Sequence, residues 1–188
     1  MNEAAALGEA LAPWACEQFG ADARIAGLAL LAGGASQQSW RLDLVTSTGA
    51  LALVMRRDTG GRMFAAALGR ADEFAVIELA YKAGVAVPRP YAYLPDVGGK
   101  AAFVMAGLEG ETLGRRIVRE PRLAQARAAL PAQMGRALAA IHAIPVTKAA
   151  FLPGPDAGKG AAAHGLRVLA QELACCSALP TACSRCML

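Results

Sequence analysis

Between Arg24 and Arg57 the chain runs through three short apolar segments, RIAGLALL, WRLDLV and ALALVMRR. They are parted by GGASQQS (Gly33 to Ser39) and by TSTG. Each segment is too short for a typical globular helix, and the second alternates apolar with charged residues, which is the period of a half-buried strand. Strands that follow one another through short connections favour an antiparallel sheet. The spacing therefore predicts three consecutive antiparallel strands, over 24–31, 40–45 and 50–57. The first connection is longer than a two-residue hairpin turn requires. Its glycines leave the backbone free to wrap a ligand, although a plain flexible hairpin would carry the same composition.

The rest of the sequence surrounds this sheet with helices and two more strands. Residues 3–19 carry Leu7, Leu11, Trp14, Ala15 and Phe19 at helical spacing, and Pro13 predicts a kink or a pair of short helices there. GRADEFAVIELAYKA, residues 69–83, reads as an amphipathic helix closed by Gly84. VAVPRP is an extended connector, because a residue before proline avoids the helical region. YAYLPD and KAAFVMAGL then read as two strands joined by a turn at DVGG. Residues 120–142 read as helical, and Pro131 predicts two helices with a break. A loop, FLPGPDAGKG, and a last helical stretch, AAAHGLRVLAQELA, precede the end. One helix inserted after three strands, with two strands following it, makes an α+β lobe.

Composition narrows the function classes. Of the 188 residues 55% are hydrophobic and 18% charged, enough apolar material for a core. The net charge is +4, but the basic residues are scattered and only MRR and GRR form tight pairs. Nucleic-acid binders carry a basic stripe with interleaved aromatics, so no nucleic-acid partner is expected. A mild basic excess suits a phosphate-bearing small ligand. No apolar run reaches the roughly eighteen residues of a membrane helix, and the start, with Glu3 and Glu9 and no early cation, is unlike a signal peptide. A cytoplasmic protein with Cys16 as a reduced, packed thiol is expected.

Five stretches in order carry a family resemblance. GGASQQSWRLDL, LVMRRD, DEFAVIELAYKAGVAVPRPYAY, AFVMAGLEGETLGRRI and LPAQMGRALAAIHAIP resemble the aminoglycoside-phosphotransferase family of kinases. Within it they are most similar to the phosphotransferase modules that also occur fused to acyl-CoA dehydrogenases. The resemblance is nearly continuous from about Leu30 to Pro145. It implies an α+β, protein-kinase-like small lobe, an antiparallel sheet plus helix C, followed by the first helices of the large lobe. The implied division is residues 1–109 for the small lobe, 110–150 for a linker and first large-lobe helix, and 151–188 for a remnant.

The resemblance also implies roles. The loop with Gly33, Gly34, Ala35, Ser36 and Ser39 would cover the phosphates of ATP, its backbone N–H groups and hydroxyls donating to phosphate oxygens. Arg56 stands where kinases place the strand-three lysine, and it keeps the charge while adding a planar fork of donors. Arg57 would then lie on the opposite face. Glu73 would pair with Arg56 as the helix-C glutamate; Glu78 on another face of the same helix is the competing choice. Met105 to Leu108 resemble the hinge that bonds adenine through backbone groups, and Met105 itself is equally readable as core. Glu111 and Thr112 would cap the next helix, and His142 receives no chemistry. The family activity is transfer of a phosphoryl group from Mg-ATP to a hydroxyl of a small molecule.

The catalytic half of that pattern is missing from the sequence. The family needs His-Gly-Asp followed by an Asn, and then a second Asp for magnesium. Here His164–Leu166 reads HGL, no Asp follows Asp156, and the only Asn is Asn2. No catalytic and no metal-binding residue is assigned, and the chain is expected to be a C-terminally truncated, inactive form; the alternative is a non-catalytic nucleotide-binding or interaction fragment. Four of the five cysteines, Cys175, Cys176, Cys183 and Cys186, fall in the last fourteen residues. CSRC has metal-ligand spacing, but an adjacent pair beside it makes a cramped zinc site. A disordered tail of free thiols is the expectation.

Overall fold

The computed structural model describes residues 3–31, 37–60 and 67–152. Five strands form one sheet: β1 (Arg24–Leu30), β2 (Gln37–Thr46), β3 (Gly49–Asp58), β4 (Pro90–Leu94) and β5 (Ala102–Ala106). Their order across the sheet is β1-β2-β3-β5-β4, and every neighbouring pair is antiparallel. The α+β lobe expected from the sequence is present. β2 begins three residues earlier than the sequence spacing predicts, and this brings Gln37 and Ser39 into the ladder.

The β2–β3 hairpin turns at Ser47–Thr48, where Thr46 Oγ1 accepts the Thr48 N–H at 3.2 Å. Alternation then decides the faces. Trp40, Leu42 and Leu44 of β2, Leu53 and Met55 of β3, and Ala102 and Val104 of β5 are buried together on one side. Helix α1 (Glu3–Phe19) covers that side with Leu7, Leu11 and Ala15, spaced four residues apart on one stripe. Burying each such leucine contributes about 1.5–3 kcal/mol.

α1 is one continuous helix through Pro13, and α4 (Ala124–His142) is one continuous helix through Pro131. α1 is thus not a pair of short helices, one of the two alternatives at Pro13, and the break predicted at Pro131 is absent. A proline removes one hydrogen bond and crowds the preceding turn. In α1 both Pro13 and Glu9, whose carbonyl loses its partner, are exposed, so water replaces that bond. Leu11 before and Ala15 after the proline pack into the same core. Pro131 is likewise exposed.

Helix α2 (Arg70–Lys82) lies on the other face, mainly against β4 and β5. It ends as the sequence predicts. Gly84 has φ +77°, and the N–H groups of Ala83, Gly84 and Val85 donate back to Leu79, Tyr81 and Ala80. After β5 come a short helix α3 (Gly114–Arg119), a 3-10 turn at Pro121–Leu123, α4, and a second 3-10 turn at Val146–Ala149. The sequence reading did not separate α3 from its surroundings. No helix among the described residues is long and apolar enough to cross a membrane.

Candidate functional site

The face of the sheet that carries α2 also collects its polar side chains. On β3, Arg57 turns toward α1 while Arg56 and Asp58 turn toward α2. Arg56 Nη1 pairs with Glu73 Oε1, and Arg56 Nη2 donates to Gln37 Oε1. The guanidinium carbon lies 5.8 Å from the centre of the Phe103 ring, which also neighbours Phe74 at 6.0 Å. The cation is thus placed by a carboxylate on one side, an amide at its tip and an aromatic face beneath.

Glu78, the competing choice, lies on the helix surface and pairs with Lys82 at 3.0 Å. Ser39 stands opposite Arg56 in the β2–β3 ladder. Its carbonyl accepts the Leu31 N–H at 2.8 Å, which ties β1 to β2 beside the glycine segment. Gly33, Gly34, Ala35 and Ser36 lie outside the described residues, as do His164–Leu166, Asp156 and the four C-terminal cysteines. Cys16 is a free thiol, half-buried, with Sγ 3.4 Å from the Ala23 carbonyl.

Met105 sits on β5 opposite Val54 and Pro90, half-buried, and shares the α2-side face with Phe103 two residues away. Beyond it the strand end is fastened twice. Ala106 N–H donates to Arg89 O at 2.8 Å, and Gly107 N–H donates to Ala52 O at 2.9 Å. A Cβ on Gly107 would stand 3.0 Å from the Ala52 carbonyl oxygen, so the close approach favours glycine. The chain leaves the sheet at Leu108, which is exposed. Glu111 follows. Its Oε1 accepts the Leu113 N–H at 2.9 Å, and its Oε2 lies 3.3 Å from Arg116 Nη1. The backbone bond, and then the arginine, hold its carboxyl below the ordinary carboxylate range.

Three polar residues that the sequence reading passed over are built into this lobe. Gln37 occupies the tip of Arg56. Arg70, the first residue of α2, has a side chain only 5% exposed and lies beside both Glu73 Oε2 and Asp58 Oδ1, the latter at 2.9 Å. Its Nε and Nη1 reach these carboxylates at ion-pair distance but are not aligned for hydrogen bonds. Asp58 completes that group. A basic residue in the first turn opposes the helix dipole, and that anomaly was the available signal for Arg70. A separate groove of about 190 Å³ between α2 and α4 is lined by Leu79, Lys82, Ala140, Ile144 and Lys148, and includes none of the residues around Arg56. Among the described residues no three His, Cys, Asp or Glu side chains converge on one point.

Residues 27–179 match the model of the APH phosphotransferase enzyme family. The chain belongs to this family. No curated protein matches the phosphotransferase-family chain significantly by sequence. Among solved structures it is similar to a protein from Ralstonia eutropha JMP134 assigned as an aminoglycoside phosphotransferase, with 23% identity and a TM-score of 0.52. The likeness covers 75% of this chain and 39% of that one. At that identity it establishes the fold: an antiparallel sheet with helices, the kinase-like small lobe of the family. The phosphotransferase-family chain therefore spans well under half the length of this neighbour.

Proposed function

We propose that the α2-side face of the sheet binds the triphosphate of ATP, and that the chain supplies the nucleotide-binding lobe of a phosphotransferase acting on a small-molecule hydroxyl. Residues 1–109 form that lobe in this reading, and 110–150 lead into the part that would hold the acceptor. The observation that carries it is the Arg56–Glu73 pair, made between β3 and α2 on the face that also bears Ser39 and Met105. Productive phosphate placement in kinase-like enzymes needs such a cation held by a helix carboxylate.

Each group has a task in this reading. Arg56, with its fork pointed by Glu73, takes the α- and β-phosphate oxygens once Gln37 gives way. The Ser39 hydroxyl and the loop Gly33–Ser36 add donors. The backbone beyond Met105, fixed through Gly107 to Ala52, receives the adenine edge. Magnesium, which the family resemblance pairs with ATP, does not fit the described residues: Asp58 and Glu73 are both engaged by arginine side chains. No step is derived through it. The second reading, nucleotide binding without catalysis by this polypeptide alone, is favoured by that engagement and by the HGL at His164–Leu166 in place of His-Gly-Asp.

Titration of the isotope-labelled protein with ATP, followed by NMR, tests the proposal. A triphosphate opposed by one half-buried cation should bind with a dissociation constant on the order of millimolar, about −4 kcal/mol. Arg56→Ala should abolish the binding, and the shifts should centre on Ser39, Arg56 and Met105. Saturable shifts elsewhere, unaffected by Arg56→Ala, would refute the site. Phosphoryl transfer to a panel of hydroxyl compounds should be undetectable, because positioning and charge stabilisation supply nearly all of the catalysis in this chemistry. Turnover that disappears in Arg56→Ala would overturn the non-catalytic reading.

A further inference from the structure

We infer that Arg70 is the positioning residue of the anion site: it locks Glu73 and the end of β3 together so that Arg56 is presented in one fixed orientation. The inference rests on the proposed role of Arg56 in binding nucleotide. Four charges form an unbroken chain across two elements, in the order Arg56, Glu73, Arg70, Asp58. β3 contributes Arg56 and Asp58, two residues apart on one face, and α2 contributes Arg70 and Glu73, three residues apart on one face. Along the chain the signs alternate. Arg56 meets one oxygen of Glu73, Arg70 meets the other, and Arg70 Nε returns to Asp58.

Arg70 is otherwise hard to account for. A cation in the first turn of a helix faces the positive end of the dipole. Burying it is costly unless carboxylates offset the lost hydration. Only a guanidinium can answer two carboxylates on different elements from one planar fork; an ammonium is a single point charge. α2 packs mainly against β4 and β5, so its tie to β3 runs through these long side chains. Take Arg70 away and Glu73 keeps one partner, its carboxylate can turn toward water, and Arg56 follows it.

The test reads Arg56 directly as well as through the ligand. When both ends of a guanidinium are held, rotation about its C–N bonds slows and the Nη resonances separate. In the wild-type protein Arg56 should give such separated signals. In Arg70→Gln they should merge, and ATP affinity should fall about tenfold, the lower end of what losing an orienting partner costs at metal sites. Arg70→Lys should fall between, because it answers one carboxylate only, and Asp58→Asn should do the same. Arg41→Gln, which removes an exposed pair with Asp43, should change neither readout. Should Arg70→Gln fail to fold, Asp58→Asn and Arg70→Lys carry the test, since Asp58 is 41% exposed. Unchanged Arg56 signals and unchanged affinity in folded variants would overturn the inference. Should the wild type bind no ATP, the nucleotide reading falls and the Arg56 signals alone decide whether Arg70 positions it.

Discussion

Arg57 and Arg56 are adjacent, alike in type and opposite in fate. Arg57 has a side chain 5% exposed and spends every nitrogen: Nε on Val97 O at 2.8 Å, Nη2 on Gly98 O at 2.7 Å, and Nη1 on Gln38 Oε1 at 2.9 Å and Glu3 Oε1 at 3.2 Å. It fastens the start of α1 and the β4–β5 turn to the middle of the sheet. Arg57→Met would keep the aliphatic stem but strand the buried Val97 carbonyl, at about 1–3 kcal/mol, and release the Gly98 carbonyl, Gln38 and Glu3. The variant should lose about 2–4 kcal/mol by urea unfolding while Arg56 keeps its partners; a loss below the scatter of surface substitutions would show that the network adds nothing. The sequence predicted the opposite facing of the two arginines from the strand period alone. It did not reveal which one would be buried, because that depends on Glu3, Gln38 and the Val97–Gly98 turn, up to 54 positions distant. The choice of Glu73 over Glu78 came from the family resemblance. Gln37 and Arg70 escaped it, since their contacts belong to the packing of a helix on a sheet and leave no periodic mark.

At the level of elements, periodicity did well wherever one face is buried against something. All five strands and α2 were legible, down to the glycine that ends the helix. The errors in α3 and α4 fall where no such face exists. α4 has no buried residue, so its proline looked like a terminator when it is an exposed member of a continuous helix. α3 has six residues and no buried side chain, too short to carry a period. Its entry is governed by one carboxylate instead. The Glu111 carboxyl is held low by the Leu113 N–H and by Arg116, so it binds its proton more weakly in the folded chain than in the unfolded one. Its contribution to stability is therefore complete above the ordinary carboxylate value of 4.5 and is lost as pH falls through the lower folded value. Acid titration of the wild type against Glu111→Gln should give stability curves that differ near neutrality and converge at low pH. Curves that diverge further as acid is added would contradict the sign. The end of β5 offers an element-level check of another kind. Gly107→Ala places a methyl against the Ala52 backbone, and should shift the amide resonances of both β3 and β5 without altering α1.

Across the whole molecule, burial is uneven in a way that follows the chain. The sheet and α1 enclose a core in which Leu11, Leu42, Leu44, Met55, Ala102 and Val104 are fully buried. Past residue 107, apolar side chains turn outward instead. Leu130, Met134, Leu138 and Ile141 follow helical spacing along one side of α4 and are 42–63% exposed, with Leu113, Val118, Val146 and Phe151 exposed nearby. Among the described residues nothing covers this side of α4. The amphipathic spacing is that of a helix with a packed face, and the similar solved structure is a much longer chain, of which only 39% is matched. An apolar stripe of this length left in water favours association, as exposed patches beyond a few hundred Å² do. Sedimentation of the 188-residue chain should therefore show weight-average mass rising with concentration over about the micromolar range in which such patches associate. Met134→Lys with Leu138→Lys, two solvent-facing changes that remove no buried contact, should restore a monomer and leave the unfolding midpoint of the sheet within the small range of surface substitutions. A monodisperse monomer from the unaltered chain at tens of micromolar, again roughly where exposed apolar faces find each other, would mean that the stripe is covered after all.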